Sequence, residues 1–126
     1  TWLGGHLSLA DLPALRKQLG DAASTLTKWL ATLKDRVTAM AADLADVRDV
    51  FIVGRGSSLA AAHTAGLIIK ESARVHAEGL SCAAFRHGPL EMARPDVLVL
   101  VLEGAEATAA LNVKLVEDIR AASGRS

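Results

Sequence analysis

No tyrosine occurs in the 126 residues, and two phenylalanines and two tryptophans are the only other large rings. A core of any size must therefore be aliphatic, built from alanine, leucine and valine. Charge of one sign is also lacking: fourteen basic side chains cancel fourteen acidic ones. No net field steers the chain toward nucleic acid or an anionic membrane, so neither is expected as a partner. The single cysteine, Cys82, cannot form an internal disulfide or build a zinc site alone, which fits a reducing compartment and makes cytoplasm the expected location. No apolar run approaches the ~18 to 20 residues of a membrane span, and no basic segment feeds a hydrophobic signal sequence at the N-terminus. The expectation is a soluble protein without internal repeats.

What is present reads as one α/β domain with a helical lead-in. From Ser8 to Val47 apolar residues recur at helical spacing, first Leu12, Leu15 and Leu19, then Leu26, Leu30, Leu33, Val37 and Met40. Gly20-Asp21 predicts a break between two helices, with Asp21 capping the second. Residues 1–48 are accordingly expected to be helices packing on the domain formed by 49–126. In that domain Asp49 to Gly54 and Val97 to Leu102 are short, continuously apolar and β-branched, as parallel strands buried on both faces are. Between them the pattern predicts a helix from Ser57 to about His76, a short strand from Glu78 to Ser81, and one or two helical turns in 83–92. A closing helix over 106–122 should turn Leu111, Leu115, Val116 and Ile119 inward. Strands alternating with helices imply a parallel sheet with right-handed crossovers. Two long strands and one short one make a narrow sheet. The start at Thr1 and the stop where a next strand would begin lead us to expect a piece of a longer polypeptide.

Three places carry candidate chemistry. Gly54-Arg55-Gly56-Ser57-Ser58 closes a strand and opens a helix, where free N–H groups and the helix dipole can hold a phosphate. Gly56, Ser57 and Ser58 are thus candidate substrate-binding residues, although the serines can equally serve only to cap the helix. A third glycine would fall at Leu59 and no Walker lysine follows, so dinucleotide and nucleotide cofactors lose ground. Glu71 stands on a helix apolar nearly all round, which predicts burial, and a buried carboxylate is costly unless it is paired, protonated or facing a cavity. Such a group makes a general acid or base; the plainer alternative is that it meets Lys70, Arg74 or solvent. His87 sits in Arg86-His87-Gly88-Pro89, where glycine and proline fix the loop, and an imidazole is the side chain suited to proton transfer near neutral pH. An ordinary exposed loop histidine is the competing reading. His63 and His76 have no second ligand at helical spacing, so no metal site is expected. Cys82 reads as a small buried hydrophobe.

The order strand, Gly-Arg-Gly, helix ending Lys70-Glu71-Ser72, then His76-Ala77-Glu78-Gly79 and Phe85-Arg86-His87-Gly88-Pro89-Leu90 resembles the sugar isomerase (SIS) domain. More narrowly it resembles the second SIS subdomain in the isomerase part of glutamine–fructose-6-phosphate aminotransferase and related phosphosugar isomerases or deaminases. The resemblance is dense from Asp49 to Leu102. It implies a flavodoxin-like three-layer α-β-α sandwich, incomplete in this chain, that binds a hexose phosphate, uses no cofactor and forms a homodimer. It also implies catalytic roles: Glu71 moves the proton between C1 and C2, and His87, reaching in from a neighbouring subunit, helps open the sugar ring.

Two family positions differ. Seven and three residues before the catalytic glutamate the aminotransferase pattern has a glutamate and a lysine, on one helix face; here they are Thr64 and Ile68. The ammonium that would assist proton transfer is missing, and the family's imine-forming lysine would lie beyond Ser126, so nitrogen transfer is poorly supported. Ser57 and Glu71, fourteen residues apart, lie about 21 Å apart on a continuous helix. One sugar phosphate cannot touch both in a single chain, so a companion SIS subdomain or second subunit is expected to complete the site, and the isolated chain to be inactive. The alternative is a non-catalytic sugar-phosphate-binding regulatory or dimerisation module.

Overall fold

The computed structural model describes residues 8–104 and 106–126. The chain divides into two compact units, Thr1–Ala45 and Asp46–Ser126. In the first, the N–H and hydroxyl of Ser8 both donate to Asp11 Oδ2, at 2.7 and 2.9 Å, and close a 3-10 turn. Helix α1, Leu12–Ala41, follows, with Pro13 in its opening turn where no N–H is needed. The expected break at Gly20-Asp21 does not occur. Asp21 accepts from Lys17 Nζ at 2.6 Å one turn earlier instead of capping a new helix, and glycine inside a helix costs only about 1 kcal/mol relative to alanine.

The second unit is built on β1, Asp49–Gly54, which lies between β2, His76–Ser81, and β3, Val97–Val101, all parallel. Alternation along β1 assigns its residues to two cores. Phe51 and Val53 face Cys82, Phe85, Val97, Val99, Leu115 and Ile119, with the Phe51 and Phe85 rings edge to face at 5.4 Å. Val50 and Ile52 face Ala62 and Ala77 on the other side. Helix α2, Ser58–Ala73, covers the Val50 face; α3, Cys82–Arg86, and α4, Ala109–Ala121, cover the Phe51 face. Helices thus flank the sheet on both sides, giving the expected three layers. The strand expected from Glu78 begins two residues earlier, at His76, because its pairing with β1 starts at Asp49.

Beside β3 the backbone of Arg125 takes a fourth position. Its N–H donates to Val97 O at 3.2 Å and its carbonyl accepts from Val99 N–H at 2.8 Å, while its guanidinium holds both Asp46 oxygens at 2.7 and 2.8 Å.

Two expectations about burial are corrected. The helix α2 buries only Ala62 and Gly66 fully and leaves Leu67 and Ile68 about half exposed, since a helix lying on a sheet has one face to cover and one left over. On α4 the inward position expected for Leu111 belongs to Asn112, which is 4% exposed, while Leu111 is 53% exposed.

Backbone meets backbone where α2 crosses β2. A Cβ on Gly79 would lie 2.4 Å from the Ala62 carbonyl oxygen, and one on Gly66 would lie 2.8 Å from Gly79 N. Neither neighbour can move without shifting the helix off the sheet. Gly79→Ala should therefore destabilise the chain by about 3 kcal/mol through overpacking, read as a lowered urea midpoint; a midpoint equal to wild type would contradict this contact.

Candidate functional site

Parallel α/β sheets bind ligands outside the carboxyl ends of their strands, at the point where chain order reverses. Here that point flanks β1, from which the chain goes first to β2 on one side and later to β3 on the other. A cavity of about 320 Å³ opens there, lined by Gly54, Arg55 and Gly56 at the end of β1, Ser81 and Cys82 at the end of β2, and Thr108 and Leu111 near the start of α4.

Gly56 has φ of 54°, a left-handed turn that glycine adopts without strain. This turn feeds the N-terminus of α2. Ser58 Oγ accepts from Arg55 N–H and donates to Arg55 O, both at 2.9 Å, so its hydroxyl is spent closing the turn. Ser57, at the N-cap, makes no side-chain cap bond and is exposed. Of the two serines, Ser58 is the one whose hydroxyl is engaged by the turn.

Sequence reasoning missed Asn112. Its Oδ1 accepts from Arg55 Nε at 3.0 Å and lies 4.0 Å from Cys82 Sγ, while its Nδ2 is buried with no partner among the described residues. Two donors aimed at one oxygen fix the amide's orientation. Counting back one turn from Leu115 and two from Ile119 would have placed Asn112 on the buried face, but polarity argued against it. Its bond turns Arg55 back along the cavity wall. Cys82 is fully buried as expected, and burial pushes its thiol up despite Arg55 and Arg86 nearby.

Glu71 lies elsewhere. It is exposed on the outer face of α2, in the last turns, at the end of the helix remote from the cavity. The predicted burial is absent because α2 turns this side away from the sheet. Among the described residues nothing hydrogen-bonds to it or pairs with it. Thr64 and Ile68 share its exposed face, so no ammonium accompanies it one turn earlier.

His87 follows α3 on the opposite side of the sheet from α2; its N–H donates to Ala84 O at 3.0 Å and its ring is exposed. Gly88, at φ 134°, makes the turn that presents it. Its neighbour Arg86 is committed to Asp118, 2.5 Å away, and Lys114 Nζ reaches the other Asp118 oxygen at 2.9 Å. Glu71 and His87 thus occupy different faces, and one copy does not bring them together.

The hydrogen bonds from Lys114 and Arg86 hold the Asp118 carboxyl below the ordinary carboxylate range. A carboxyl lowered by folding contributes stability that is complete above its unfolded value near pH 4 and is lost as the pH falls through the lower folded value. The urea midpoint of Asp118→Asn should therefore lie below wild type at pH 7, and the gap should close toward pH 2. Cys82, with its raised thiol, should resist iodoacetamide at pH 8 until urea unfolds the chain.

Among the described residues no helix is long and apolar enough to cross a membrane, and no three His, Cys, Asp or Glu side chains converge as a metal would require.

A family model described as the SIS domain matches residues 43–123. The chain is 31% identical over 97 residues to the glutamine–fructose-6-phosphate aminotransferase [isomerizing] of Chlorobaculum tepidum, covering 77% of this chain and 16% of that protein. The protein of the same name in Pyrococcus horikoshii is 35% identical over 92 residues, 73% of this chain and 15% of its own length. That of Agrobacterium fabrum is 27% identical over 121 residues, 96% and 20%. The fold is similar to the C-terminal domain of glucosamine-fructose-6-phosphate aminotransferase from Francisella tularensis, with TM-score 0.82 at 17% identity, over 94% of this chain and 33% of that one. The chain spans a fifth or less of the length of these curated relatives.

Proposed function

The chain belongs to the SIS domain family, and from that premise we propose that it is a phosphosugar-binding part of an aldose–ketose isomerase or glucosamine-6-phosphate synthase-like enzyme. It moves a proton between C1 and C2 of a hexose phosphate. Glu71 is the acid/base group, and His87 of a neighbouring copy opens the ring. An enediol route needs only proton shuttling, and a positioned carboxylate supplies it without a cofactor.

The observation that carries the reading is the placement of Glu71. An unpaired carboxylate stands among half-exposed Leu67 and Ile68 on the outer face of α2, at a surface suited to being covered. A carboxylate beside apolar side chains gains strength as a base once water is excluded from it. The relatives that carry this stretch of chain are named as isomerizing aminotransferases of fructose 6-phosphate.

A second reading, a non-catalytic sugar-phosphate-binding regulatory or dimerisation module, is favoured by Thr64 and Ile68. These put a hydroxyl and a hydrocarbon on the face of Glu71 where an aminotransferase would place a carboxylate and an ammonium.

Fructose 6-phosphate should raise the melting temperature of the assembled protein, and deuterium from solvent should enter C1 of the sugar. Glu71→Gln should slow that exchange about 100-fold or more while leaving the thermal shift. Binding without exchange would give the regulatory reading its place, and absence of both would sink the phosphosugar reading.

A further inference from the structure

The segment that presents His87 is short of anchors. Phe85, before it, is fully buried, and Leu90, after it, packs against the same core. None of the four residues between, Arg86, His87, Gly88 and Pro89, is buried. Backbone bonds from His87 N–H to Ala84 O and from Glu91 N–H to Gly88 O close a turn on each side, but Gly88 joins the two turns at φ 134°, where a residue without a Cβ pivots most freely. Among the described residues, the one side-chain bond from these four to a distant element is that of Arg86. We propose that Asp118 is a positioning residue: by holding the Arg86 guanidinium against α4, it sets where the next residue, His87, presents its imidazole. The proposal rests on the ring-opening role given to His87 above.

The anchoring end is rigid. Asp118 follows Leu115 by one turn and precedes Ile119, and both apolar residues are 0% exposed in the core that also takes Phe85. From the same helix Lys114 Nζ holds Asp118 Oδ1 at 2.9 Å, which leaves Oδ2 to Arg86 Nη1 at 2.5 Å, a bond charged on both sides. One carboxylate thus ties a helix fixed in the core to the residue before the imidazole, 32 positions back along the chain. Ion pairs near the surface contribute little to folding, and these two side chains are 33% and 24% exposed. Position is a different matter, because a proton-transfer group misplaced by about 1 Å loses on the order of 100-fold in rate. The pair therefore weighs more on rate than on folding.

Ring opening supplies the discriminating test. In 5-deoxyfructose 6-phosphate the hydroxyl that closes the furanose is missing and the terminal hydroxyl is esterified, so this sugar stays open and has no need of His87. In the assembled protein at saturating sugar, Asp118→Asn should slow deuterium entry at C1 of fructose 6-phosphate about tenfold, as a milder form of the His87→Ala defect. The open analogue should stay within about twofold of wild type. In an Arg86→Gln background Asp118→Asn should cost no further rate, since the carboxylate acts through that guanidinium. No slowing, equal slowing of both sugars, or an undiminished effect without the Arg86 charge would overturn the proposal. If His87→Ala itself exchanges at the wild-type rate, the ring-opening reading falls, and nitrogen relaxation of the 126-residue chain then decides the tether. In Asp118→Asn the heteronuclear NOE of the His87 and Gly88 amides should drop while that of Leu115 holds. Unchanged values at His87 and Gly88, or a drop shared by Leu115, would overturn the tether as well.

Discussion

Burial of β1 on both faces governs the second unit. Val50, Phe51, Ile52 and Val53 are 6, 2, 0 and 0% exposed, and strict alternation sends each to a different core from its neighbour. A strand so placed must have a partner on each edge and a helix layer on each side. From this follow the crossover through α2 to one edge, the return across β1 to the other, and the crevice at its carboxyl end. The loop there is glycine-rich for a steric reason: a Cβ on Gly54 would come 2.6 Å from the Ser58 carbonyl oxygen, so the turn into α2 closes only on a bare backbone.

Two sites of differing character result. The cavity end is bound up with itself apart from Asn112 Nδ2: Ser58 closes the turn, Asn112 Oδ1 anchors Arg55, and Cys82 is buried, leaving Ser57 and the helix terminus as the exposed elements. The outer face of α2 is the reverse: Leu67, Ile68 and Glu71 are exposed there, and among the described residues no hydrogen bond or ion pair engages the Glu71 carboxylate. Glu71 and His87, the two groups proposed to move protons, stand on opposite sides of the sheet.

Much of this was legible in the chain. The strands at Asp49 and Val97 announced themselves by continuous apolar β-branched runs, and their boundaries agree with the structure to within a residue. The Gly-Arg-Gly turn and the Arg86-His87-Gly88-Pro89 loop were visible as glycine and proline punctuation, which is local steric information. Less legible were features whose cause lies far along the chain. Gly20-Asp21 looked like a helix break, but a lysine one turn away engaged the aspartate. Asn112 drew no notice in the sequence, because Arg55, the group its oxygen serves, lies 57 positions earlier.

The sequence by itself determined the element types, the parallel sheet, the family and the identity of the chemical groups, because periodicity and turn chemistry act over a few residues. Tertiary structure alone decided which side of α2 faces the sheet, and so that Glu71 points outward with Leu67 and Ile68 rather than into the core. A helix of sixteen residues, apolar almost all round, can be rotated either way by its own composition. The choice fell to the contact of Gly66 with Gly79, since only the face without side chains could approach β2 so closely.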